Sequence, residues 1–289
     1  MRQLAPNSLQ HCRLTGGRSA TELAVIDAFK RRQGKNKALG FAGASHGQGL
    51  AMSQFAHPNM SLGALNWPVL NYPANGTSDE QVLDSVRKAI TNDVAVVLVE
   101  PVNWQSGNQM SGSLISQIGR IAHEHDALLV VDETNTGCGA TGKGFWASDA
   151  SEADYVAFGK RTQVTGYYSN QGDNVELGGQ EHNVALMCEI NKQLNEEKLI
   201  ERVASVGQSL GQKVKDAAAK SSRITGVNSA GTMMWINTGN AKDAFELRDH
   251  LRRHGVLVKL NGAHGVVTKP SLTLEEQHAQ PLVSAVANF

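Results

Sequence analysis

The chain has 289 residues, 40% of them apolar, enough for one large domain or an ordinary domain with a smaller companion. Lys plus Arg and Asp plus Glu each number 27, so the formal charge is zero and no global field attracts nucleic acid or an anionic membrane. Cys12, Cys138 and Cys188 lack metal-ligand spacing, and an odd count argues against a secreted disulfide framework and for a reducing compartment.

The start, "MRQLAPNSLQHCRL", has no apolar signal-peptide core. Its basic residues and lack of acids are compatible with a short transit peptide, so the expected location is the cytoplasm, with the mitochondrial matrix as the other choice. No apolar run approaches membrane-spanning length. The next stretch, "LTGGRSATELAVIDAF", runs from a Gly-Gly turn into an amphipathic helix over Thr21–Arg32, with Leu23, Ile26 and Phe29 on one face. Gly17, Arg18 and Ser19 thus stand at a helix N-terminus, where backbone N–H groups favour an anion such as phosphate. Serine at that position is also an ordinary helix cap.

"DVAVVLVEPV", Asp93–Val102, is a continuous β-branched run, and "GSLISQIGRIAHEHD" places Leu114, Ile118, Ile121 and Ala122 at helical spacing. His123 and His125 are two residues apart, so on a helix they face different ways and read as a solvated helix end, not a metal pair. "ALLVVDE" is the next buried strand and "DYVAFGK", Asp154–Lys160, another. Such near-continuous runs suit parallel strands covered on both faces, giving an α/β domain. After Tyr168 the polar, Gly-rich "SNQGDNVELGGQ" leads to helices over His182–Asn195 and Lys198–Ala219. "GTMMWINT", a helix over Ala241–His254, the runs "GVLVKL" and "GVVTKP", and a final helix from Leu274 read as a smaller α+β domain. The expected division is 1–195 and 196–289. There are no repeats or low-complexity segments.

In open α/β sheets, ligands bind beyond the carboxyl ends of the strands. Glu100, Asp132 and Lys160 end three successive strands, spaced by about the thirty residues of a βαβ unit. An acid and a lysine facing one crevice suit a Schiff-base cofactor: the lysine forms the imine and the carboxylate keeps a pyridine nitrogen protonated. The bland alternative is that each is a solvated strand end. Gly137, Gly142 and Lys143 also fit G-x-x-x-x-G-K, but Gly144 stands where a P-loop needs Ser or Thr, and "GFWASDASEAD" is a poor helix start.

Taken in order, "GGRSATELA", "FAGASHGQGLAMSQ", "VLVEPVNWQSGN", "LLVVDETNTGCGATGKGFWA", "VAFGKRTQVTGYY", "LGGQEHNVAL" and "GVVTKPSLT" resemble the class III pyridoxal-phosphate-dependent aminotransferases, nearest the 4-aminobutyrate and lysine 6-aminotransferase branch. The resemblance covers roughly Thr15 to Phe289. It implies a type I PLP-dependent transferase fold, with a large, mostly parallel domain and a small C-terminal α+β domain. It also implies pyridoxal 5′-phosphate (PLP), a homodimer, and transfer of an amino group from an ω-amino acid to a 2-oxo acid. By position, Asp132 pairs with the pyridine nitrogen, and Asn135 lies near the phenolic oxygen, where relatives have Gln. Gly17, Arg18 and Ser19 hold the phosphate. His46 and Gly47 belong to the segment that packs over the ring.

The chain departs from this pattern at several places. Ser45 replaces the stacking aromatic, neutral Gln48 and Gln105 replace an arginine and a glutamate of the substrate pocket, and Lys269 replaces an arginine, losing its bidentate fork. Val175 stands where the partner subunit's threonine usually meets the phosphate. The branch uses the second of two adjacent lysines, and that position is Arg161, which stays protonated and forms no stable imine. Lys160 precedes it, yet neighbouring strand residues face opposite ways, so Lys160 serves only if the strand end slips or bulges. Relatives also carry a long N-terminal segment before the phosphate loop. Beside a working aminotransferase, the residues therefore allow a degenerate member acting as a binding or regulatory subunit, or a changed reaction in the same pocket.

Overall fold

A computed structural model describes residues 2–6, 9–16, 19–57, 65–149, 151–171 and 180–289. These form two compact units: 1–104, 108–138 and 148–191 in the first, 105–107, 139–147 and 192–289 in the second.

The first unit holds a seven-stranded sheet. In chain order its strands are β1 (His11–Leu14), β2 (Lys37–Phe41), β3 (Val69–Leu70), β4 (Val94–Val99), β5 (Leu128–Asp132), β6 (Tyr155–Phe158) and β7 (Gly166–Ser169). They lie in the order β1-β7-β6-β5-β4-β2-β3. Strands β3, β2, β4, β5 and β6 run parallel, and β7 and β1 add an antiparallel edge. Every residue of β4, β5 and β6 is buried, as continuous apolar runs demand when both faces are covered. Side chains alternate across the strands. Leu128 and Val130 join a core with Ala24, Val25 and Ala28 of α1 (Ala20–Arg31), whereas Leu129 faces Gly119 of α4 (Gly112–Glu124). Two further helices, α2 (Leu50–Ala56) and α3 (Asp79–Ala89), complete the crossovers. Ser19, Ser78 and Ser111 cap α1, α3 and α4 through their side chains, and Ser78 with Gln81 forms a capping box.

Helix α5 (Glu181–Glu196) follows, and then α6 (Leu199–Ala218). The second unit carries an antiparallel sheet in the order β10-β11-β9-β8, formed by β8 (Ile224–Ala230), β9 (Met233–Thr238), β10 (Lys259–Leu260) and β11 (Gly265–Thr268). Leu210 and Val214 of α6 share its core with Met234, Ile236 and Val266, together with Leu247 and Leu251 of α7 (Ala241–Arg253) and Ala285 of α8 (Gln280–Ala287). No described helix is long and apolar enough to cross a membrane.

Three sequence expectations are corrected. The strand expected through Lys160 ends at Phe158, and a 3-10 turn, Lys160–Thr162, follows Gly159. "GVLVKL" yields only Lys259–Leu260, because Gly255 closes α7 with φ +77° and Leu257 is left exposed. The final helix begins at Gln280 behind a 3-10 turn over Glu276–Ala279.

Candidate active site

Asp132 ends β5 at 1% exposure, and its two carboxylate oxygens are well used. Oδ2 accepts from Thr21 Oγ1 at 2.8 Å and lies 3.0 Å from His46 Nδ1; Oδ1 accepts the Thr134 N–H at 2.9 Å. Burial alone pushes this acid up, but the His46 hydrogen bond, with the His46 and Lys160 charges and Thr134, outweighs it and holds the acid down at about 2. Asp132 is therefore an anion at neutral pH, braced from below by the first turn of α1 and on one side by His46.

Glu100, just past β4, is also 1% exposed. It accepts the backbone N–H of Ser45 at 3.2 Å and of Trp104 at 3.0 Å, and Asn135 Nδ2 approaches at 3.5 Å. Burial raises its pKa above the ordinary carboxylate value, the His46 charge opposes this, and the nearby Asp132 charge adds to the rise. Two carboxylates with opposite shifts thus flank His46, whose Nε2 is buried without a hydrogen-bond partner among the described residues. His46 itself is wedged edge-on against Phe55 at 5.6 Å.

Lys160 enters the same place by an unusual backbone. With φ +59° it occupies the left-handed region, and Gln163 repeats this at +60°. Such conformations are strained for side-chain-bearing residues and are concentrated at functional sites. The turn carries Lys160 Nζ to 2.6 Å from Asn135 Oδ1 and 3.3 Å from Thr134 Oγ1, 5.9 Å from the Trp104 ring. The next residue goes elsewhere: Arg161 is half-buried, its carbonyl oxygen 3.8 Å from Cys138 Sγ, and burial lowers the guanidinium from its ordinary value.

A cleft of about 250 Å³ opens over these groups, lined by Ser19, Thr21, Ser45, His46, Gln48, Lys160 and neighbours. Ser19 caps α1 and donates to the His46 carbonyl oxygen at 3.3 Å. Gly47, at φ +135°, lets the chain pass so close that an added Cβ would sit 2.9 Å from Ser19 Oγ. Of the residues singled out from sequence, Ser19, His46, Gln48 and Lys160 line the cleft; Asp132 and Asn135 support it from behind through His46 and Lys160. Gly17, Arg18 and Val175 lie outside the described residues. Gln105 and Lys269 belong to the second unit, where the Gln105 carbonyl accepts from Asn261 Nδ2 and Lys269 lines another pocket.

Thr21, Thr134, Thr165 and Trp104 were not anticipated. Thr21 follows the Ser-Ala start of α1, but nothing in the sequence aims it at Asp132. The Gly-rich loop is not built as a phosphate loop: among the described residues no helix opens directly after Lys143, and a Cβ on Gly142 would meet the Ala204 backbone at 2.6 Å. His123 pairs with Asp154 at 2.8 Å instead of being simply solvated.

All of residues 1–289 match the family profile described as aminotransferase class-III. A 4-aminobutyrate aminotransferase of Mycosarcoma maydis is 26% identical over 285 residues, covering 83% of this chain and 55% of that protein. An L-lysine-epsilon aminotransferase of Streptomyces clavuligerus is 26% identical over 258 residues, with coverages of 81% and 56%. The chain thus spans little more than half the length of these relatives. Among solved structures, a lysine aminotransferase from M. tuberculosis superposes with a TM-score of 0.82 at 24% identity, covering 99% of this chain and 75% of that one. A transaminase from the marine bacterium Virgibacillus gives 0.84 at 18% identity, covering 99% and 76%. At these identities the structural likeness establishes the fold, the type expected from sequence.

Proposed function

The chain belongs to the class III aminotransferases, and on that premise we propose that it binds PLP in the Lys160 cleft and transfers an amino group from an ω-amino acid to a 2-oxo acid. The observation that carries this reading is the placement of Lys160 Nζ over Asn135 and Thr134, in the cleft that His46 and Ser19 also line. The residues present fit the cofactor. A carboxylate held anionic suits a pyridinium nitrogen, an amine suits an aldehyde, and the start of α1 suits a phosphate. The buried His46 Nε2, without a partner among the described residues, adds a polar atom with capacity for a ligand.

When bound, PLP supplies an electron sink that permits exchange of an amine for a carbonyl oxygen. Lys160 is the amine placed to hold the aldehyde and to carry a proton at Nζ, oriented by Asn135 Oδ1. Asp132 keeps its negative charge through His46, Thr21 and the Thr134 N–H, so it favours a protonated ring nitrogen. Ser19, with Gly17 and Arg18 by family position, supports the phosphate. Gln48 offers a substrate carboxylate only neutral hydrogen bonds, so carboxylate recognition is weaker than an arginine would give. By family precedent the working form is a homodimer.

A second reading has its own observation. Ser45 in the cleft provides no stacking face, and Arg161 occupies the usual lysine position, which favours a member that binds the cofactor without turnover. Incubation of the PLP-loaded protein with 4-aminobutyrate and a 2-oxo acid, with chromatographic detection of the new α-amino acid, separates the two. Its formation, lost in Lys160→Ala, supports transfer. Its absence while PLP still binds selects the second reading.

A further inference from the structure

The second unit contains a pocket of about 320 Å³ built wholly from its own residues, and we propose that it binds a small aliphatic carboxylate. Its walls are apolar: Leu210 of α6, Val256 and Leu257 beyond α7, Leu274, and Leu282 of α8. Leu210, Val256 and Leu282 continue into the core of the unit, so the inner wall is fixed by packing. Leu257 is different. It is 85% exposed and forms part of the pocket, an aliphatic surface left in water.

The polar lining is sparse. Thr232, just before β9, is 1% exposed, and its Oγ1 has no hydrogen-bond partner among the described residues. A buried hydroxyl in that state carries a desolvation penalty, which an acceptor on a ligand would remove. Thr268 and Lys269, from the end of β11 and just after it, and His278, on the 3-10 turn before α8, also line the pocket. No carboxylate does. The Glu276 carboxylate, on the adjacent 3-10 turn, is taken up by Ser209 and Lys213. A concave apolar wall with a few convergent polar groups is the usual form of a small-molecule site. Here the groups are a hydroxyl wanting an acceptor, a lysine and a histidine, with no carboxylate among them, so the ligand class is an aliphatic chain ending in a carboxylate. This site needs nothing from the PLP reading, and its ligand binds whether or not the cleft of the first unit holds a cofactor.

The test is calorimetric titration of the purified full chain with 4-methylpentanoate, beside 4-methylpentan-1-ol as the uncharged counterpart. Saturable binding of the carboxylate is expected in the sub-millimolar to millimolar range, with the alcohol at least roughly fivefold weaker. Thr232→Val should weaken binding by roughly three- to tenfold while the melting temperature holds or rises, because the replacement ends the unmet hydroxyl. A hydroxyl of merely structural value would lower the melting temperature instead. Leu257→Asp, on an exposed residue that leaves the fold intact, should weaken binding at least roughly tenfold by removing apolar wall and repelling the anion. Absence of saturable binding, equal affinity for the alcohol, or binding indifferent to both substitutions would overturn the proposal.

Discussion

Lys160 Nζ lies 2.6 Å from Asn135 Oδ1, although the two residues come from segments that follow different strands, β6 and β5. The contact exists because β6 stops at Phe158 and Lys160 turns into the left-handed region, bringing to the cleft a side chain that strand alternation would have sent away. Arg161, the position at which the sequence resemblance implies the cofactor lysine, packs beside Cys138 instead.

Asp132→Asn tests whether the buried anion serves the cofactor. The change keeps the shape but removes the charge that a pyridinium nitrogen would meet. PLP affinity, followed by quenching of intrinsic fluorescence, should fall by the worth of a charge-assisted hydrogen bond, about 1.5–3 kcal/mol. Unchanged affinity would mean that Asp132 only braces His46.

The pH dependence of stability should separate the two carboxylates. The Asp132 acid is depressed to about 2 from 3.8, so its contribution is present above about pH 4 and is lost as pH falls through 2. Glu100 is raised above 4.5, so the folded state holds its proton longer, and the chain loses stability as pH rises beyond 4.5. Denaturant unfolding of Glu100→Gln against the parent should therefore show a difference that moves in favour of the variant between pH 4.5 and 8. The corresponding difference for Asp132→Asn should move in favour of the parent between pH 2 and 4.

Gly142→Ala and Lys143→Met distinguish a packed loop from a phosphate loop. Gly142 sits at φ +73° with the Ala204 backbone in the way of a Cβ, so alanine should cost roughly 1–3 kcal/mol in thermal or chemical unfolding. Lys143 is exposed, and its replacement should stay within about 0.5 kcal/mol and leave PLP binding unchanged.

Much of the fold was legible because burial writes itself into composition. "VAVVLV" and "LLVVD" are fully buried strands, and the spacing of Leu114, Ile118 and Ile121 marks the face that α4 buries. Short strands were not. Ile224–Ala230, "ITGVNSA", is too polar to stand out and is held as a strand by pairing with β9. In the site, Asp132, His46 and Ser19 were found through motif position. The reach of Lys160 was not, because it depends on φ at one residue, which side-chain chemistry does not encode. Thr21 was invisible for a similar reason: its hydroxyl meets Asp132 only after α1 has packed on the sheet.

The role of Lys160 as the amine that holds the proposed cofactor is tested most directly by mixing the protein with PLP, reducing with borohydride and mapping the modified peptide by mass spectrometry. A phosphopyridoxyl group is expected on Lys160, absent in Lys160→Met and retained in Arg161→Ala. No modified peptide, or a modification at another lysine that survives Lys160→Met, would contradict it.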